Sequence, residues 1–295
     1  MFALRAGVSG AVAALVVLGG LVAPAPASAA AAVGTCYAYK SATLKAVSST
    51  APALDCNATH TAETYFVGTL PASFGPPSEA SQPAKLAAAR PCTVSAMNSY
   101  LGMPERNLPS RFLTVTLFPT DEEWAAGERW MRCDVVLQGG LSLKSFTGTA
   151  AALVAATPQE QFNFCTPREP NAKKTAAYPC TKPKKNWIKV LDKELGGPGS
   201  KFPGTSTVER KTRKLCEKQG KKWDGKEKYA GWWAIWPTAI GWKDGKRSAQ
   251  CFVPYGQYLK EVALQSRPTP APAPEPDPTT PVEPPVDAPV DVPAA

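Results

Sequence analysis

The chain has 295 residues, with 33 Lys and Arg against 24 Asp and Glu, a formal charge of +9, and a single His. One His excludes a multi-His metal site, and an apolar content of 44% excludes a wholly disordered chain. The length allows one or two domains.

Arg5 precedes an apolar run from Ala11 to Val22, and a stretch of Ala, Pro and Ser follows as far as Ala29. The run covers roughly 12 to 15 residues, short of the roughly 20 that a spanning helix needs. A positive flank, a short apolar stretch and a small-x-small site describe a secretory signal peptide over residues 1–29, cleaved after Ala29. No later stretch spans a bilayer, so the mature chain is expected to be secreted, in the cell wall or a periplasmic-type space.

Beyond the leader, residues 63–70, 111–118 and 131–137 are rich in Thr, Val, Phe and Tyr and read as strands, with 141–147 as a further candidate. Residues 78–98 carry a helix-compatible pattern with Ser78 as N-cap, interrupted at Pro91. In the second half, 205–220 reads as a helix closed near Gly220. There, 187–195, 232–236 and 249–253 read as the matching strands. The pattern predicts an α+β chain: two tandem small modules, each a short antiparallel sheet with one packed helix. The third Cys of each module is expected on the helix and the fourth on a strand.

The two halves match in sequence. Pro119-Thr120-x3-Trp124-x2-Gly127-x-Arg129-x3-Cys133 recurs as Pro237-Thr238-x3-Trp242-x2-Gly245-x-Arg247-x3-Cys251. Cys36, Cys56, Cys92 and Cys133 line up with Cys165, Cys180, Cys216 and Cys251. The modules are read as residues 30–146 and 161–265, joined by a linker of small residues at 147–160. Four Cys permit three pairings. The favoured one is Cys36–Cys56, Cys92–Cys133, Cys165–Cys180 and Cys216–Cys251, because each bond then closes a local loop. Loops of about 15–40 residues contribute ~3–4 kcal/mol each. Zinc binding needs closely spaced Cys pairs, which are absent, so neither a metal nor a cofactor is implied.

The run Val33-Gly34-x-Cys36, then Cys56-x3-His60-Thr61-Ala62-Glu63, Cys92 and the Trp124 to Cys133 segment resembles the actinobacterial septum formation domain, here as a duplicated module. The resemblance covers most of residues 33–137 and, more faintly, 161–255. It implies a link to cell division or the envelope and no established reaction. Thr59 stands where the family has Pro. In the second copy Lys184 replaces His and Trp187 replaces Glu. For His60 and Glu63 the favoured reading is structural: His60 bonds within a turn and Glu63 begins a strand, facing the same side as Tyr65. An acid/base or metal pair is the alternative.

Charge divides the halves. The second carries clusters at Lys182, Lys184 and Lys185, at Arg210, Lys211, Arg213 and Lys214, and at Lys218, Lys221 and Lys222, interleaved with Trp187, Trp223, Trp232 and Trp233. A solvated face explains these. So does a site for an anionic cell-wall polymer, a membrane surface or divisome and envelope proteins. Nucleic acid is not expected for an exported chain. From Ser266 to Ala295 the chain is Pro-rich with an acidic excess, a disordered tail. The resulting expectation is a non-catalytic envelope protein whose basic second module makes the contact. The alternative is an envelope-acting hydrolase using His60 or carboxylates among Asp121, Glu122, Glu123 and Asp134. No Gly-x-Ser-x-Gly or His-Glu-x-x-His motif supports it.

Overall fold

The structure is a computed structural model and describes residues 31–103, 108–167, 176–182, 186–223 and 231–265. The leader, the tail, Lys184 and Lys185 lie outside the described residues.

In the first half, β1 (Cys36–Tyr37), β2 (Ala53–Leu54) and β3 (Ala62–Thr69) precede α1 (Gln82–Ala88) and α2 (Val94–Tyr100). Then come β4 (Phe112–Leu117), α3 (Asp121–Ala125), β5 (Trp130–Leu137) and α4 (Ala150–Ala156). The strands form one antiparallel sheet in the order β2-β1-β3-β5-β4. The second half adds β6 (Cys165–Thr166), β7 (Trp187–Glu194), α5 (Thr205–Trp223), β8 (Trp233–Ile235), α6 (Ala239–Lys243), β9 (Ser248–Pro254) and α7 (Tyr255–Gln265). Its antiparallel sheet runs β6-β7-β9-β8, the order of the first sheet without β2.

The register repeats as well. Cys36 pairs with Glu63 and Cys165 with Ile188. Phe66 pairs with Cys133 and Leu191 with Cys251. Both long strands carry a bulge at the same place, between Thr64 and Phe66 and between Lys189 and Leu191. A bulge re-aims the side chains beyond it, so its recurrence gives both sheets the same facing. The position equivalent to Glu63 is therefore Ile188, one residue beyond the Trp187 expected from the sequence. A one-residue slip exchanges the faces of a strand, and only the pairing reveals it.

β5 lies between two neighbours and is buried along nearly its whole length. Met131, Cys133, Val135 and Leu137 point into a cluster with Met97 of α2, Leu101 just past its end, and Ala150 and Val154 of α4. Val136, on the alternate face, packs with Tyr37, Tyr39 and Val115. β9 repeats the division: Cys251 and Val253 lie with Cys216 and Trp223 of α5, and Phe252 lies with Phe164 on the other side.

The disulfides are Cys36–Cys56, Cys92–Cys133, Cys165–Cys180 and Cys216–Cys251, and no cysteine is free. Cys216–Cys251 ties α5 to the central strand of its sheet. The expected helix over 78–98 divides into α1 and α2, and Cys92 sits in the turn between them. The N-caps are Ser81, whose hydroxyl accepts from Ala84 N at 3.3 Å, and Thr93, whose hydroxyl accepts from Ala96 N at 3.0 Å. Ser78 instead donates its backbone N–H to Asp121.

Residues 141–147 make isolated bridges rather than a strand. The segment 147–160, marked by its small residues as a connector, carries α4. Its Ala-rich sequence is a strong helix former, Thr149 caps it, and Ala150 and Val154 join the first core. The helices thus outnumber the one expected per sheet.

Candidate functional site

The two halves of the recurring motif fold alike. Thr120 caps α3 in a reciprocal capping box with Glu123 (3.1 and 2.8 Å), and Thr238 caps α6 by accepting from Gly241 N at 3.0 Å. Trp124 and Trp242 are buried on these one-turn helices. Gly127 (φ 101°) and Gly245 (φ 84°) end the turns in the left-handed region, where a side chain is strained. Trp124 and Trp242 are therefore core anchors. Glu123 and Asp121 are likewise engaged within the fold, in the box and with Ser78.

His60 and Glu63 close a clasp around the connecting segment. The His60 backbone exchanges two hydrogen bonds with Phe146, each 3.0 Å, and its ring packs edge-on to the Phe146 ring at 4.4 Å. Nδ1 lies 2.8 Å from Ala58 O, while Nε2 is buried with no partner. Glu63 accepts from the first backbone N–H of α4, Ala150 N, at 2.5 Å and from the Tyr100 hydroxyl. A carboxylate at a helix N-terminus is favoured by the exposed N–H groups and the helix dipole. The Tyr65 ring lies tilted against the same Tyr100 at 6.1 Å, so Glu63 and Tyr65 do share a face. Cys36 Sγ, His60 and a Glu63 oxygen lie within 4.8 Å of one another. Cys36 is spent in its disulfide and both Glu63 oxygens hold hydrogen bonds, so this trio acts as a fold clasp.

The opposite face of the sheet holds a buried polar network that the sequence reading missed. Asp134 accepts from Arg132 Nε (3.1 Å), Tyr39 OH (2.5 Å) and Thr64 Oγ1 (2.7 Å). Arg132 also donates to the Tyr37 and Tyr39 hydroxyls, each at 2.8 Å, and its guanidinium lies 4.0 Å over the Tyr37 ring. Burial raises the Asp134 carboxyl, and Arg132 and the hydroxyls pull it partly back. Burial works most strongly to lower Arg132, but the Asp134 charge together with Tyr39 and Tyr37 outweighs it and raises the guanidinium above its ordinary value. The signal was legible as two period-2 pairs, Tyr37-x-Tyr39 and Arg132-x-Asp134, on one face. Asp134, weighed as a hydrolase carboxylate, is saturated by these partners.

The second half presents the basic surface. Along α5, Val208, Thr212, Cys216, Gly220 and Trp223 are buried. At ~100° per residue these fall in one narrow stripe. Arg210, Lys211, Lys214, Lys218, Lys221 and Lys222 are all exposed. They occupy a sector of about 120° on the other side, over ~18 Å of helix. Two acids on the helix are tied locally, Glu209 to Arg213 and Glu217 to Lys221, each at 2.8 Å. Among the described residues, Arg210, Lys211, Lys214 and Lys218 have no ion-pair partner. Arg213 lies off the sector, 5.3 Å over the Trp236 ring. Lys182 is exposed in the loop before β7. The interleaved aromatics behave otherwise: Trp223 is buried, and Trp187, Trp232 and Trp233 are half-buried in cores.

A family model described as septum formation matches residues 87–251, from within α1 to Cys251 in β9. The match spans parts of both sheets and leaves out residues 33–63, where the Gly-x-Cys start and His60 lie. No curated protein and no solved structure matches the chain.

Proposed function

The chain belongs to the septum formation family, and from that premise we propose that it is a non-catalytic protein of the cell envelope that binds an anionic wall polymer or acidic partner surface through α5. Four disulfides fit an oxidising, extracytoplasmic compartment. No helix among the described residues is long and apolar enough to cross a membrane. The observation that carries the reading is the sector of exposed cations on α5, four of them without an ion-pair partner among the described residues.

A cationic ridge on a disulfide-stapled helix presents fixed charge with little loss of backbone entropy on binding. Such a ridge recognises spaced negative charge rather than a single small anion, and the contact weakens as salt screens it. Asp121, Glu123, Asp134 and His60 all hold contacts within the fold, which supports the binding role. The test is co-sedimentation of the full chain with purified wall material at low and high salt. Retention at low salt and release at high salt is expected. Absent or salt-insensitive retention overturns the proposal.

A further inference from the structure

Arg247 and its counterpart Arg129 stand at the same place in the recurring motif and do different things. Arg129 lies 3.9 Å over the Trp124 ring and donates to the carbonyls of Trp124 and Glu128, each at 2.7 Å. Arg247 is more deeply buried, 5% exposed against the half-buried Arg129, yet among the described residues its guanidinium donates no hydrogen bond and makes no ion pair. Its Nε is fully buried with no partner, and the Trp242 ring is 5.9 Å away, the outer limit of a cation–π contact. Glu194 is close enough to feel the Arg247 charge, but its carboxylate accepts from Ser248 Oγ (3.2 Å) and stays beyond ion-pair range. A buried guanidinium nitrogen without a partner is costly, so natural proteins usually pair it.

Arg247 lines a cleft of about 1180 Å³ between the two halves. The halves touch beside it: a Cβ on Gly245 would stand 2.8 Å from Leu86 Cδ2. The cleft wall is mainly apolar, with Leu86, Leu113, Leu191 and Leu195 contributing. It holds a second unsatisfied group, the buried Oδ1 of Asn98 on α2. Lys189 and Asp192, also in the wall, are committed to one another at 2.8 Å. The volume lies just above the range of about 300–1,000 Å³ usual for small-molecule sites.

The geometry points to an inter-module site for an amphiphilic anion, a carboxylate or phosphate head bound by Arg247 with an apolar body along the leucine wall. A guanidinium offers a fork of donors that fits either head group. This site is separate from the α5 face and does not depend on it.

The test is calorimetric titration of the full chain with dodecyl phosphate and dodecanoate below their micelle concentrations. Inorganic phosphate and dodecanol serve as comparison probes. Both amphiphiles bind, and each comparison probe binds at least tenfold more weakly. Arg247→Met weakens amphiphile binding at least tenfold. It leaves Tm unchanged or raised, because no hydrogen bond or ion pair is lost. Glu194→Gln retains binding or tightens it. Charge neutralisation on α5 leaves binding unchanged, which separates failure here from failure of the polymer reading. Equal binding of inorganic phosphate and dodecyl phosphate overturns the amphiphile assignment. Undiminished binding by Arg247→Met, or a marked fall in its Tm, overturns the role of the guanidinium.

Discussion

Replacing Lys211, Lys214 and Lys218 together by Gln tests the binding face most directly. These three lie within about 60° of one another around α5 at ~100° per residue, so they meet one ligand surface. All three are exposed and none makes an ion pair with a described residue, so the change removes no ion pair of the described fold. Gln matches Lys in helix propensity, and exposed changes of this kind alter stability by less than about 0.5 kcal/mol. A Lys near an anionic surface contributes ~1 kcal/mol. Three such losses amount to ~3 kcal/mol, roughly a hundredfold in affinity. The assay is retention on purified wall material across a salt series, with Tm recorded in parallel. Wild-type and variant retention converge at high salt, because screening removes the same interaction. Unchanged low-salt retention, or a deficit that persists undiminished at high salt, refutes the reasoning.

Other consequences concern the fold that carries this face. Asp134→Asn leaves Arg132 buried beside a neutral group and costs about 3–5 kcal/mol in chemical denaturation, whereas the double change Arg132→Met, Asp134→Leu costs much less; equal costs would defeat the account of the pair. Glu63→Ala removes the acceptor for Ala150 N and Tyr100 OH, loosens α4, and costs about 2–3 kcal/mol. Limited proteolysis then cuts within 147–160 before the rest, and an unaltered cleavage pattern would count against the clasp. Burial raises the phenols of Tyr39 and Tyr100 and pushes Tyr65 up to about 12. The folded chain keeps protons that unfolded tyrosines lose near pH ~10. Stability is therefore intact below that pH and declines as pH rises through the tyrosine range. Tyrosinate absorbance that develops only with loss of fold would confirm this, and ordinary titration in the folded chain would contradict it.

Much of this was legible from local pattern. The order and spacing of eight cysteines pointed to the disulfides, because short loops between neighbouring cysteines close most readily. The run from Thr205 carried its own helical period, and α5 runs three residues past the expected end because Trp223 still has a core to enter. Pro119 to Cys133 and its repeat announced a shared unit, since capping, a left-handed Gly and a Trp anchor are all short-range devices. The cations of α5 were countable, but which sector they occupy depended on which stripe the sheet buried.

What the residues could not announce came from pairing between distant segments. Nothing near Glu63 says that its carboxylate meets the N-terminus of α4, 87 positions away. The bulged register that sets Ile188 opposite Cys165 is decided between strands, and a single-residue slip would reverse every face. Arg132 and Asp134 became a network only when β1 and β3 brought tyrosines and Thr64 against them. Arg129 and Arg247 read alike in the chain, and only the fold shows that the second lines the cleft between the halves with its Nε unpartnered. Sequence dictated the elements because their physics is local; tertiary structure decided the contacts because burial and charge depend on what arrives from elsewhere.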